Sequence, residues 1–547
     1  MGSMSSSQVR QCRQDFWEKQ APQLRKHYRV KPAPLVVNAA QDPTTMFNTA
    51  GMQPLVPYLM GKEHQDGKRL YNIQGCVRTG DIEEVGDATH LTFFEMMGNR
   101  SLGDYFKKEA IQWSREFLTG KEWLGLDPRK LAVTVFAGDE NAPRDEESAQ
   151  YWMDVSQGVL AGRISYMTAK DNWWSPGPVG PCGPDTEIFY WRGASEFPPA
   201  GSTVENDDNN WMEIWNNVFM AYHRNEQGDL QPLANKNVDT GMGFERICTV
   251  LQGVSTIYET DIFAPLCEAI QKYTLHVYEK NPTHCRVIAD HIRTATMLLY
   301  EGLTPSNEGR GYVLRRIIRR MYYHLSVLLG ELTLHPDYKN NQTVVQECIT
   351  ELVDHLSGVY PHIIQTKAGI IQGLLQEIKQ FQTTIRTGQQ KLDEMLVSNN
   401  HITGKQAFLL YDTYGLPAEL TREIVVSRGG TVDTDAFAQE KKIAQERSRN
   451  ASHQMFAKTI DWSVYIEGVP QTTFVGYDEC EITNATLVKD FWIDDMRVII
   501  VDKTPFYAEG GGQTADTGTI VLDSGETVHV NHVIQYAGVY LHMVQAI

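Results

Sequence analysis

The sequence predicts an α+β fold, then an all-helical region, then a small β-barrel. Three observations carry this. Up to about residue 257, short apolar strands run ahead of helices without strand–helix–strand regularity, which favours an antiparallel sheet. From 258 to about 455 nearly every segment has helical spacing. From about 460 to 547 the chain is rich in Val, Thr and Gly, with turn clusters such as Glu509-Gly510-Gly511-Gly512, as in short strands of a barrel or sandwich. The domains expected are therefore 1–257, 258–457 and 458–547, and 547 residues at about 150 per domain allow three or four.

The elements follow in order. Residues 8–28 read as one amphipathic helix, with Phe16, Trp17, Leu24 and Tyr28 set among charges. Residues 34–60 are extended, and 70–98 alternate apolar runs with acidic and Gly turns, a hairpin pattern. Residues 104–120 are helical and Leu131–Ala137 a strand. Between 171 and 193, Pro and Gly are too dense for regular structure. Asn210–Tyr222 reads as a strand, and Val238–Gly253 as a strand leading into a helix. Helices over 286–301, 311–330 and 361–397 dominate the middle of the chain.

Composition excludes several classes. With 41% hydrophobic and 22% charged residues the chain is globular, not disordered. A net charge of −18 argues against a generic polyanion binder, so any nucleic-acid contact must be a local basic patch. Eight scattered cysteines without a CxxC predict neither a zinc knuckle nor a disulfide framework, and reduced thiols fit the cytoplasm. No apolar run reaches the ~18 residues of a membrane helix. Met1-Gly2-Ser3-Met4 reads as a cloning scar before a native Met4.

Two segments carry chemistry. In the hairpin, Arg78 ends a strand before an acidic loop, placed for bidentate contact with phosphate or carboxylate. Phe94 lies on the returning strand, where an aromatic ring can stack on a base. In the second segment, Gly241-Met242-Gly243 stands at a strand-to-helix junction, where Gly lets backbone approach a ligand. Arg246 follows at the helix start. Taken alone, an Arg before a turn is more often a solvated surface residue, and a lone Gly-x-Gly more often an ordinary helix N-terminus.

Their combination resembles the alanyl-tRNA synthetases. Asp42-Pro43-Thr44, Phe47 and Ala50-Gly51-Met52 are similar to the family's first signature motif, Cys76–Asn99 to its second and Val238–Ile247 to its third. Gly180–Tyr190, Glu213–Met220, Arg286–Arg293, Gly311–Arg320, Tyr411–Gly415 and Thr504–Glu509 continue the resemblance in order to the end of the chain. It implies a class II synthetase core, an antiparallel sheet flanked by helices. It also implies a two-step reaction: the alanine carboxylate attacks the ATP α-phosphate, then the terminal ribose hydroxyl of tRNA(Ala) takes the alanyl group.

Roles follow from the resemblance. Bringing two anions together demands positioning and charge neutralisation. Arg78 resembles the grip on the α-phosphate and substrate carboxylate, and Arg246 the grip on the γ-phosphate. Mg2+ would bridge phosphate oxygens, with Glu213 a candidate ligand. Phe94 and Met96 share a strand face for adenine, and Glu83, Gly241 and Gly243 complete the ATP set. Asp239 is the expected ammonium partner of alanine, Asn216 a hydrogen-bonding neighbour, and Trp174 and Val218 the walls against larger side chains.

Arg315, Arg316, Arg319 and Arg320 recur on one helix, preceded by Arg310, and read as a track for RNA phosphates. The family reads a G·U pair in the acceptor stem from the minor groove. Asp412 matches its acidic reader and Arg320 a basic helper. Gly309 stands where the family's second reader is Asn, in Ser306-Asn307-Glu308-Gly309-Arg310-Gly311, so either Asn307 or a neighbour substitutes or the pair is read differently.

The family's editing domain has a His/Cys metal site. His529-Val530-Asn531-His532 is one residue short of its spacing, so no zinc is expected. The expectation is a monomeric fragment of a longer, dimer-forming protein. Two rivals remain: an RNA-binding protein that has lost catalysis, and a class II enzyme retuned to glycine or serine.

Overall fold

The computed structural model describes all residues except 1–2, 38–45, 81, 176, 178, 276–277, 307–308, 331–340, 397–399, 444–461, 477–478, 480, 494–495, 509–514 and 547. The chain divides into two compact units, Met1–Phe437 and Ala438–Ile547.

The first unit begins with α1 (Ser6–Gln14), whose Ser5 and Gln8 form a capping box. The single helix expected over 8–28 is shorter: the chain widens into a π turn at Asp15–Lys19 and leaves the helix before Pro22, which cannot continue it. The central sheet has nine strands: β1 (Tyr28–Arg29), β2 (Arg69–Val77), β3 (Phe93–Leu102), β4 (Leu131–Phe136), β5 (Ile164–Met167), β6 (Trp173–Trp174), β7 (Gly180–Trp191), β8 (Trp211–Arg224) and β9 (Leu230–Gly243). Their order is β1-β2-β3-β9-β8-β7-β4-β5, with β6 against β7.

From β2 to β4 every pairing is antiparallel, as expected. The edges differ, since β1–β2 and β4–β5 are parallel. The second of these is a strand–helix–strand unit, because helix Glu146–Ser156 fills the crossover from β4 to β5. The Pro- and Gly-rich stretch, expected to be irregular, contains the 12-residue strand β7. Pro184 is tolerated because the register shifts between Cys182 and Asp185, and Gly183 runs against the Phe219 carbonyl.

Helices follow: α2 (Phe244–Gln252), α3 (Ala264–Thr274), α4 (Pro282–Tyr300), α5 (Gly309–Gly330), α6 (Asn341–Val359), α7 (Lys367–Leu396), α8 (Gly404–Asp412) and α9 (Ala418–Ser427). They share one apolar core with the sheet: Phe93 and Met97 of β3 lie in the same cluster as Ile288, Ile292, Leu314, Ile317 and Phe381.

The second unit holds a five-stranded antiparallel sheet, built from β10 (Leu487–Ile493), β11 (Met496–Val501), β12 (Gly518–Val521), β13 (Thr527–Tyr536) and β14 (Val539–Ala546), in the order β10-β11-β14-β13-β12. One face buries Ile499, Val501, Val528, Val530 and Val544. Among the described residues the order ends at β10 and β12 without closing into the expected barrel. The Glu509–Gly512 turn lies outside the described residues.

Candidate active site

The three strands at the sheet centre and the start of α2 build one cleft. Arg78, Phe94, Met96, Glu213, Gly241, Gly243 and Arg246 all line it, so seven of the sequence-predicted residues meet there. Thr89, His90 and Glu245 complete part of the wall.

Each position has a local cause. Arg78 leaves the end of β2, its backbone N–H held by the Thr92 carbonyl at 3.0 Å. Its guanidinium lies 5.0 Å from the Phe94 ring centre, so the ring helps carry a cation that is otherwise exposed. Phe94 and Met96 share one face of β3. A Cβ at Gly241 would stand 2.7 Å from the Met96 sulfur, so only Gly permits that packing. Arg246 is the third residue of α2 and donates to Glu213 Oε2 at 2.7 Å. That pair is about one third exposed on both sides, open to a competing anion.

A buried network holds β3 and α2 in place. Arg293 of α4 donates to the Phe93 carbonyl at 3.1 Å and pairs with Glu245. Asp290 accepts from the Thr92 N–H at 2.9 Å. Tyr360 donates to Glu95 at 3.0 Å, and Glu95 also pairs with Arg10. The Arg286–Arg293 motif thus braces the strand that carries Phe94 and Met96.

The residues expected around alanine lie beside the cleft. Val218 is buried with Met52, and Met96 and Trp174 pack on that cluster. Asn216 pairs with Gly241 and Val218 with Asp239 across β8 and β9. Asp239 is buried, and burial pushes its carboxyl up to about 6 against the pull of Arg100. Arg100 donates to its Oδ1 at 2.9 Å and to Asn72 Oδ1 at 2.6 Å. Asp239 therefore has a partner already; the sequence reading missed Arg100 because the pair joins residues 139 apart across neighbouring strands.

Acids crowd next to Glu213. Burial, reinforced by Glu213, raises the Glu187 carboxyl to about 9, and burial raises Asp185 to about 7. Glu187 was missed; its signal was present in the Gly180–Tyr190 motif.

Two sequence expectations are corrected. Glu83 is not among the residues lining the cleft: its carboxylate pairs with Arg316 at 3.2 Å and Arg422 at 2.7 Å. The four arginines of α5 do not form an open basic face. Their side chains are between 8% and 19% exposed, and Arg315 and Arg319 meet Glu377, Arg316 meets Glu83 and Arg320 meets Glu423. Arg320 also donates to the Ile82 carbonyl at 2.8 Å and the Val85 carbonyl at 3.2 Å. Like charges at i, i+4 are tolerated because carboxylates from other elements lie between them. Arg316 and Arg320 tie α5 to the loop after Arg78, and Arg315 and Arg319 tie it to α7.

Gly309 opens α5 with φ +55, a left-handed conformation, and a Cβ there would meet nothing within 4 Å. Arg310 reaches the Met46 carbonyl at 2.7 Å. Asp412 is exposed at the end of α8. Asn307 and Asp42–Thr44 lie outside the described residues.

Comparison with known proteins identifies the class to which the chain belongs. The chain belongs to the family described as tRNA synthetases class II (A), whose model matches residues 8–547. Within that class it is similar to alanine–tRNA ligases. That of Treponema denticola is 46% identical over 438 residues, covering 76% of this chain and 69% of the relative. That of Thermotoga petrophila is 39% identical over 567 residues, covering all of this chain and 62% of the relative. The chain therefore spans about three fifths of the length of the Thermotoga relative. No helix among the described residues is long and apolar enough to cross a membrane.

Proposed function

We propose that this chain activates alanine with ATP and transfers the alanyl group to the 3′ end of tRNA(Ala). The observation that carries this is the cleft itself: two arginines, an aromatic ring and a thioether above two glycines, beside a buried carboxylate walled by Val218 and Trp174.

Arg78 offers a fork to the α-phosphate and the alanine carboxylate, lowering the repulsion between the two anions as they approach. Arg246, at a helix N-terminus, takes the γ-phosphate and exchanges Glu213 for it. Phe94 and Met96 receive the adenine. Asp239 takes the ammonium, with Arg100 keeping the buried carboxylate ionised near neutral pH. Asn216 lines the amino-acid end, while Val218 and Trp174 limit the side chain to a methyl group.

Magnesium suits this donor set. Such an ion is bound by one or two carboxylates together with substrate phosphates. Glu213 and its neighbour Glu187 would hold it, and a divalent cation there would favour ionisation of the Glu187 carboxyl, which burial and Glu213 otherwise keep protonated near neutral pH. When bound, Mg2+ supplies charge neutralisation at the phosphates.

On the RNA side, Asp412 of α8 and Arg310 of α5 remain the candidates for the acceptor stem, with Arg316 and Arg320 holding α5 in place. Asn is the non-Gly residue that best tolerates the left-handed region, so Gly309 keeps the backbone of an Asn while removing its amide. Segment 1–257 serves activation, 258–457 the tRNA and 458–547 a β module. Charging tRNA(Ala) transcripts with G·U, G·C or A·U at the acceptor-stem pair tests this reading. Alanylation of the G·U transcript is expected; no alanylation of any transcript would overturn it.

A further inference from the structure

A second cavity of about 420 Å³ opens between α1, β1, β2 and the turn after α6, and it shares no lining residue with the cleft. At about 30 Å³ per water it has room for an ion of several atoms. Arg10, Arg13 and Arg29 line it.

Arg13 is the unusual member. It is 1% exposed, and its Nε, Nη1 and Nη2 are all buried without a hydrogen-bond partner. The groups that act on it electrostatically are Arg100, Tyr71 and Tyr105, with no carboxylate among them. A buried guanidinium without a counter-ion is costly, and burial lowers its pKa to about 9. The neighbouring charges are already used: Arg10 on Glu95, Arg100 on Asp239, and Glu18 as acceptor from Tyr71 Oη at 2.6 Å. Arg29 stands exposed on the edge strand.

We propose that this cavity binds a small tetrahedral oxyanion of the phosphate class, with Arg13 as the inner donor and Arg29 as the second cation. The guanidinium fork matches two oxygens of such an ion, and two cations favour a doubly charged anion over chloride. The anion supplies the counter-charge that no described side chain gives Arg13, and it joins α1 to β1.

The test is a titration of the whole chain with inorganic phosphate at constant ionic strength, following the melting temperature in wild type, Arg13→Met and Arg246→Ala. A ligand that binds only the folded chain raises Tm. A rise of about 2–4 °C at about 10 mM phosphate is expected in wild type and Arg246→Ala, and none in Arg13→Met. No rise in wild type, a rise that persists in Arg13→Met, or a rise lost in Arg246→Ala would overturn the proposal, the last by assigning the anion to the cleft. Should Arg13→Met not fold, Arg29→Ala decides: a phosphate midpoint weakened about tenfold supports the site, and an unchanged midpoint overturns it.

Discussion

Arg246 and Arg320 each meet a glutamate, and the two pairs differ in what surrounds them. Arg246–Glu213 lies in an open cleft, with both side chains about one third exposed. Arg320–Glu423 is 8% and 28% exposed, and the same guanidinium holds two backbone carbonyls and lies 3.1 Å from His291 Nε2. The first pair is weak enough to be exchanged for a phosphate, because exposed ion pairs contribute little. The second is a bolt, because each donor of Arg320 is used and removing it strands the buried Ile82 and Val85 carbonyls. Function depends here on how many donors a guanidinium has left.

Substitutions sharpen this contrast. The largest effect is expected at Arg78, exposed and with no acidic partner among the described residues. Arg78→Ala should lower ATP–pyrophosphate exchange by about 10²–10³-fold while leaving the melting temperature unchanged. A parallel loss of stability would place Arg78 with the bolts instead. Arg320→Ala should do the reverse, costing about 3 kcal/mol in denaturant unfolding, since Glu423 and the Ile82 and Val85 carbonyls lose their donor. A change below about 0.5 kcal/mol would return Arg320 to the surface class.

Asp239 gives the pH dependence. Burial raises its carboxyl to about 6, and an ammonium needs the ionised form. The KM for alanine should therefore rise about tenfold per pH unit below that value. Arg100→Met removes the charge that favours ionisation, so the midpoint should move upward. A KM that is flat from pH 5 to 8, about one unit and more on either side, would remove Asp239 from the ammonium site. The smallest effect belongs to Gly309→Asn. Stability should fall by no more than about 1 kcal/mol, since the position is open and Asn is among the residues that tolerate the left-handed backbone at φ +55. Preference for a G·U over a G·C transcript should increase, and an unchanged ratio would show that the missing amide is not what sets it.

What was legible in the sequence follows the same division. The cleft was readable because its residues sit in short local patterns: Arg78 before a turn, Phe94 and Met96 at period two, Gly241 and Gly243 before Arg246. Each pattern fixes backbone geometry within a few residues. Arg100, Arg293 and the carboxylates beside the α5 arginines were not readable, because their meaning lies in partners 48 to 233 positions away. A run of arginines on a helix looks the same whether it faces solvent or Glu377 and Glu423. The strand at Gly180–Trp191 was hidden for another reason: Pro184 falls at a register shift, which local composition does not reveal.

The central claim is that the cleft activates alanine. Its most direct test is ATP–pyrophosphate exchange measured with alanine, glycine and serine in turn, for wild type and Asp239→Ala. Exchange strongest with alanine, and lost in Asp239→Ala while the protein remains folded, is the predicted result. Folded wild-type protein that exchanges with none of the three, or equally well without Asp239, would contradict it.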